Sequence, residues 1–68
     1  MAIIKIREVL GTSKKSFDDA LKQIVDFVGK DKHNLTGIKI IDQPVGLDKG
    51  QIVEYKVNAK VAYKWEKE

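Results

Sequence analysis

The 68-residue sequence contains no cysteine and only one histidine, His33. These absences exclude a disulfide framework and a closed Cys/His zinc site. A domain this short buries only about 60% of the surface that its unfolded chain exposes, so it usually needs disulfides, a structural metal or oligomerisation. Since the first two are missing, we expect the chain to be stabilised by oligomerisation.

Long hydrophobic segments are also absent. No apolar run approaches the roughly 18 residues of a membrane span, and no basic leader followed by an apolar stretch opens the sequence. We therefore expect one soluble domain covering residues 1–68, with no membrane partner. The lack of cysteine fits a reducing compartment, so the cytoplasm is the expected location.

Arginine is nearly absent, because Arg7 is the only one among thirteen basic residues in a chain of net charge +3. Lysines neutralise phosphates without reading sequence, whereas arginine is better suited to bidentate contacts with guanine. From Lys14 to Lys67 the lysines alternate with acids, which is more typical of a solvated surface than of a binding stripe. We expect no specific nucleic-acid partner, and nonspecific nucleic-acid binding ranks third among the candidate functions.

The first half of the sequence predicts a strand followed by a helix. Residues 3–10 are rich in β-branched side chains, and residues 11–13 (G-T-S) break the run. Ser16 with Asp19 resembles a capping box, after which an apolar helical period begins. Its predicted face consists of Phe17, Ala20, Leu21, Ile24, Val25 and Val28. Phe27 lies at the edge of this face, where it would contact a neighbouring subunit or form a half-exposed flank of the chain's own core.

The second half predicts two further strands, at residues 35–43 and 51–65, separated by a turn at residues 44–50 that holds the only proline. The last strand alternates from Val53 to Trp65, with one face apolar and the other mostly polar. At about 3.3 Å per residue it would run roughly 45 to 50 Å, more than a compact domain of this size spans. We expect part of it to serve another subunit. The predicted fold is α+β, with βαββ order and a three-stranded antiparallel sheet wrapped around one helix, whose apolar face packs on the last strand.

No catalytic motif is present, because the spacings of a nucleophile elbow, a P-loop and a zinc protease are all missing. His33 lies in a predicted polar turn, and Ser13 and Ser16 occupy positions where helix caps are expected. We expect a protein that is not an enzyme. Oxygen ligands for calcium or magnesium are available, but they lack the dense spacing of an EF-hand loop. These acidic candidates are Asp42, Asp48 and Glu54.

Several short motifs, in this order and spacing, resemble the dodecin family. They are V-L-G-T-S at 9–13, S-F at 16–17, I-I-D-Q at 40–43 and K-V-A-Y at 60–63. Dodecins are hollow twelve-chain assemblies that bind flavins, and the resemblance covers nearly the whole chain. It implies a homododecamer with a small-molecule pocket built where subunits meet.

The chain departs from the family at two pocket positions. Dodecins stack the flavin ring on a tryptophan of the second strand and hydrogen-bond its edge through a glutamine of the third. Spacing from Asp42 puts the tryptophan position at Gly37, and spacing from Tyr55 puts the glutamine position at Lys56. Stacking a base on an aromatic side chain contributes about 1 to 3 kcal/mol, which we take as a guide for a flavin ring. The resemblance thus implies weakened binding of FMN or riboflavin at Gly37, Gln43 and Lys56.

Dodecin-like proteins that lack this tryptophan include calcium-binding members, which implies an alternative function. Asp42 matches an aspartate that lies near divalent ions in the family, so it is the metal candidate that the resemblance supports. The alternative to flavin storage is therefore a shell that binds calcium or magnesium, or one that is purely structural.

Overall fold

The computed structural model describes residues 2–31 and 34–66, with side chains described for 3–30 and 34–64. The predicted position of His33 in a polar turn lies outside these residues, as does the side chain of Trp65. The elements are β1 (Ala2–Ser13), α1 (Phe17–Asp31), β2 (Leu35–Asp42), β3 (Val45–Asp48) and β4 (Gln51–Glu66). All strand pairs are antiparallel. The prediction of one helix with an antiparallel sheet in βαββ order is confirmed.

β4 is the central strand and pairs with all three other strands. On one edge, β1 pairs with β4 from Ala2 opposite Glu66 to Ser13 opposite Tyr55. On the other edge, β2 pairs with residues 58–63 of β4, and β3 pairs with residues 51–55. β3 pairs with the part of β4 that extends beyond β1, so this part has a partner strand on one edge within the chain. Use of its other edge by another subunit stays a prediction.

A short strand occupies the segment that we predicted to be only a turn. Val45–Asp48 pairs with the start of β4, and Lys49 and Gly50 alone form the connection, with φ angles of 52° and 79°. Two positive φ angles are typical of the type I′ turn, whose twist suits a two-residue hairpin. The sheet therefore has four strands rather than three.

β1 continues to Ser13, past the break predicted at residues 11–13. Gly11 pairs with Val57 and lies directly against the helix. A Cβ atom at Gly11 would lie 2.5 Å from Cγ1 of Ile24 and 2.8 Å from the carbonyl oxygen of Ala20. At Gly11 the backbone of β1 therefore lies close against α1, and the strand continues through this residue instead of ending there.

A network of hydrogen bonds fixes the start of α1. Ser16 Oγ accepts from the N–H of Asp19 at 2.9 Å, which confirms Ser16 as the N-cap. In a capping box, the side chain at position 19 would accept a hydrogen bond from the N–H of Ser16. Here the Asp19 carboxylate instead accepts from the Ser13 hydroxyl at 2.6 Å and from the Gln23 amide at 2.9 Å. The Ser13 oxygen also accepts from the N–H of Lys15 at 2.9 Å. The bonds from Ser13 and then Gln23 lower the pKa of Asp19 below its ordinary value.

The hydrophobic core lies between α1 and the helix-facing side of β4. Its buried members are Ala20, Ile24, Val28, Val57, Ala59 and Val61. The predicted packing of the helix face on the last strand is therefore confirmed. Val25 is a correction, since it is 39% exposed. Successive helical residues are rotated by about 100°, so the stripe centred on Ile24 turns Val25 toward solvent.

Within residues 2–31 and 34–66, no helix has the length and apolar character needed to cross a membrane.

The chain is long and thin, measuring 53 × 19 × 12 Å. Its radius of gyration is 14.1 Å, against about 11 Å for a compact monomer of this length. Its accessible surface is 5311 Å², against about 4,300 Å² for a folded monomer of this mass. Many large apolar side chains remain exposed, among them Ile3, Ile4, Ile6, Leu10, Phe27, Leu47, Ile52 and Val53. The fold thus leaves more apolar surface uncovered than a stable monomer usually does.

Candidate functional site

A hollow beside Gly37 lies on the sheet face that points away from α1. Gly37 and Ile6 are the two cross-strand partners of Ala62, so the three residues form one row across β2, β4 and β1. A Cβ atom at Gly37 would have no neighbouring atom within 4 Å. The hollow has a volume of about 430 Å³, and its lining consists of Ile6, Gly37, Ile38, Lys39, Lys60 and Ala62. Space for a larger group is therefore present at Gly37, the position predicted from the sequence to replace a tryptophan.

Two lysines face each other beside this hollow. Lys39 of β2 is the direct partner of Lys60 of β4, and both line the hollow. Within the described part of the chain, neither lysine has a carboxylate within ion-pair distance, although Glu8 is the partner of Lys60 on β1. This pair is not apparent from the sequence, because the lysines alternate with acids along the chain. Only the register of β2 against β4 reveals it.

Lys56 lies farther along β4 and is half-buried. Its N–H donates to the carbonyl oxygen of Pro44 at 2.9 Å, which ties β4 to the segment between β2 and β3. Its Nζ atom lies 3.9 Å from Oε1 of Glu54. Since both side chains are about one-third exposed, this ion pair is weak and leaves the ammonium accessible to a ligand.

Asp42 and Gln43 lie close to Lys56, whereas Gly37 does not. β2 ends at Asp42, which pairs with Asn58, and exposed Gln43 follows it before β3 begins. The partner of Gly37 on β4 is Ala62, six residues from Lys56 and therefore roughly 20 Å away along an extended strand. Within one chain, the structure thus brings together three of the four predicted site residues and separates the stacking position from them.

The acidic residues do not form a metal site within one chain. In the described ranges, no group of three or more His, Cys, Asp or Glu side chains is arranged to hold a metal ion. The set of Asp42, Asp48 and Glu54 is therefore not gathered around one point. A cation bound at Asp42 would need further ligands from backbone, water or other copies of the chain.

A second concave surface lies between β1 and α1. It has a volume of about 440 Å³ and is lined by Leu10, Gly11, Gln23, Phe27 and neighbouring core residues. Phe27 is 64% exposed at this groove, and Leu10 is exposed as well. A half-exposed flank of the chain's own core is consistent with this position, because Phe27 lines the groove together with Ile24 and Val28. Contact with a neighbouring subunit stays a prediction.

The family model for dodecin matches residues 3–66, which is nearly the whole chain. The chain belongs to the dodecin family. Among curated proteins, no sequence matches it significantly.

Solved dodecin structures have the same fold. The chain superimposes on dodecin from Streptomyces coelicolor with a TM-score of 0.91 at 21% identity, covering 98% of this chain and 96% of that one. For dodecin from Streptomyces davaonensis the TM-score is 0.88 at 23% identity, with 97% of each chain covered. For the calcium-chelating antigen calcium dodecin from Mycobacterium tuberculosis it is 0.82 at 23% identity, covering 94% and 91%. At these identities the likeness establishes a dodecin fold and leaves the ligand to be argued from this chain's residues.

Proposed function

We propose that this dodecin assembles into a closed homo-oligomer of twelve copies that stores a small ligand and catalyses no reaction. The observation that carries the proposal is the exposed apolar surface of a chain whose core has only six buried hydrophobic side chains among the described residues. Burial of apolar surface contributes roughly 25 cal/mol per Å², so covering even a few hundred Å² per subunit would add several kcal/mol. Assembly therefore supplies the stability that disulfides or a zinc site supply in other small domains.

Native mass spectrometry and light scattering test the assembly directly, and we expect a twelve-chain species at micromolar concentration. The melting temperature should also rise with protein concentration, because association stabilises the folded state by mass action. A folded monomer with a concentration-independent melting temperature contradicts the proposal.

The ligand that we propose first is a flavin, FMN or riboflavin, held with weakened affinity. The hollow at Gly37 has room for a planar ring, but glycine has no aromatic side chain on which that ring could stack. Lys56 offers three hydrogen-bond donors and no acceptor, where a glutamine would offer both. Since Gly37 and Lys56 lie roughly 20 Å apart along β4, a single ligand touches both positions only if they come from different subunits.

The double variant Gly37→Trp with Lys56→Gln is expected to bind riboflavin at least tenfold more tightly than the wild type. The indole supplies a π-face worth about 1 to 3 kcal/mol, and the open space at Gly37 accommodates its first atoms. Quenching of riboflavin fluorescence in a titration measures the difference.

The matched control is Gly37→Leu with Lys56→Gln, which fills the same space without an aromatic ring. It should bind riboflavin less tightly than the tryptophan double variant, because the two variants differ only in the aromatic ring. Equal quenching by wild type and by the tryptophan double variant would show that Gly37 is not the stacking position.

A calcium- or magnesium-binding shell is the second candidate, and the position of Asp42 favours it. Asp42 is exposed at the end of β2 beside Asn58, so a carboxylate and an amide oxygen lie on neighbouring strands. If this candidate is correct, calcium should raise the melting temperature of the assembled wild type, and Asp42→Asn should abolish the rise. Asp48→Asn serves as the control and should leave the response unchanged. No calcium response in the wild type rejects this candidate.

A further inference from the structure

We infer that the hollow beside Gly37 binds an amphipathic anion, a molecule that carries an apolar ring and one negatively charged group. The inference rests on the proposed function only in placing the ligand pocket at Gly37. It names the class of ligand from two features of the hollow, its apolar floor and its opposed lysines.

The floor is the row formed by Ile6, Ala62 and Gly37. Ile6 is 66% exposed although it lies in the middle of a paired strand. Gly37 adds no side chain and has no neighbouring atom around its Cβ direction. A flat apolar group placed here would cover Ile6 and Ala62 and would occupy the space that the missing side chain leaves.

The charge comes from Lys39 and Lys60. Directly opposed residues on neighbouring antiparallel strands have Cβ atoms about 5 Å apart, and like charges at that position destabilise the sheet. Glu8 is the partner of Lys60 on β1, but no described carboxylate lies within ion-pair distance of either ammonium. A carboxylate, sulfonate or phosphate between the two lysines would accept hydrogen bonds from both and remove their repulsion.

The two features are close enough to contact one molecule. The row of Lys39 and Lys60 lies two residues along the strands from the row of Gly37 and Ala62, which is roughly 7 Å. Lysine stems also pack against apolar groups while their ammonium ends stay in water. A ring over the floor with an acidic substituent pointing toward the lysines matches this spacing.

Equilibrium dialysis of the assembled protein against 2-naphthoate and 2-naphthamide tests the inference, because the two probes share a ring and differ in charge. We expect the wild type to bind naphthoate roughly tenfold more tightly at low salt, the combined effect of two exposed ion pairs. The preference should shrink as ionic strength rises.

Lys39→Glu should reduce the preference to about one and at the same time raise the melting temperature, because the new carboxylate faces Lys60. Lys60→Gln should reduce it roughly threefold by removing one ion pair, and it provides a second measurement if Lys39→Glu alters assembly. Lys22→Gln, on the exposed surface of α1, is the control that should keep the full preference.

Equal affinity for the two probes, no measurable naphthoate binding by the wild type, or an unchanged preference in Lys39→Glu and Lys60→Gln overturns the inference. Its failure is distinguishable from failure of the proposed function. Riboflavin titration and mass measurement test storage and assembly without reference to Lys39 or Lys60, and naphthoate binding tests the lysines without reference to flavin.

Discussion

Gly11 and Gly37 lie on the two strands that flank β4, but on opposite faces of the sheet. Gly11 pairs with buried Val57, and an added Cβ would collide with Ile24 at 2.5 Å. Gly37 pairs with Ala62, and an added Cβ would meet nothing within 4 Å. Beneath α1, the helix-facing side of the sheet is therefore closed by contacts within the chain, apart from the groove at its edge that Leu10 and Phe27 line. The opposite side is left open around a hollow, so ligand binding is to be sought there.

The largest expected effect comes from placing a charge on the closed side. Ile24 is 4% exposed in the centre of the core, and Ile24→Asp would bury an unpaired carboxylate at a cost of several kcal/mol. This approaches the whole stability of a small domain, so we expect the variant neither to fold nor to assemble. Circular dichroism and light scattering measure both outcomes.

Ile24→Val is the control for that experiment. It removes a single methylene group and should cost about 1 kcal/mol without affecting assembly. If Ile24→Asp assembled with an unchanged melting temperature, the helix-facing side would not be closed in the way that the structure describes.

An intermediate effect is expected from adding a methyl group at each of the two glycines. Gly11→Ala forces Ile24 and the backbone of Ala20 to move, and overpacking of this kind typically costs 1 to 3 kcal/mol. Gly37→Ala meets open space and should change stability by less than about 0.5 kcal/mol, as exposed substitutions usually do. Denaturant unfolding of the two variants measures the difference, and equal costs would remove the contrast between the two faces.

The smallest effect concerns the boundary where β1 ends and α1 begins. The hydrogen bond from Ser13, and then the one from Gln23, lowers the pKa of Asp19 below its ordinary value. The unfolded chain therefore binds this proton more readily than the folded chain does. The resulting stabilisation is complete above about pH 4 to 5 and is lost as the pH falls through the lowered pKa. Between pH 6 and pH 2, the melting temperature of Asp19→Asn should therefore fall less steeply with decreasing pH than that of the wild type.

Ser13→Ala and Ser16→Ala separate the two parts of this network. Ser13→Ala removes the main donor to Asp19, so it should flatten the acid dependence, but less than Asp19→Asn does because the bond from Gln23 remains. Ser16→Ala removes only the N-cap acceptor, so it should lower stability by about 1 kcal/mol at every pH and leave the acid dependence in place. An acid profile of Ser13→Ala identical to that of the wild type would contradict the assigned cause of the lowered pKa.

The helix and the βαββ order were predictable because they depend on local periodicity. The spacing of Ala20, Ile24 and Val28 and the alternation of β4 each specify a buried face without any knowledge of the partner. β3 was missed because a four-residue strand after a proline and before a glycine shows only turn signals. It is a strand because β4 pairs with it, and that pairing is not visible in a local window.

The candidate site was predictable in its positions but not in its geometry. Gly37 and Lys56 follow from the resemblance, whereas their separation along β4 follows from the register of β2. The opposition of Lys39 and Lys60 depends on the same register, including a bulge between Leu35 and Gly37. A shift of one residue would turn every side chain of β2 to the other face, so sequence spacing alone does not place these lysines together.

The central position of β4 also has a consequence for when this protein folds. Every other strand pairs with residues 51–66, and β1 pairs only with that strand, as Ala2 opposite Glu66 illustrates. During synthesis, α1 and the isolated β1 and β2 segments emerge first, without a partner strand that would complete the sheet. Folding must wait until β4 has left the ribosome, and closing loops of this length makes it slow for a chain so short. Until then the isoleucines of β1 remain exposed, so chaperones that bind extended apolar segments should associate with the nascent chain more strongly than its small size suggests.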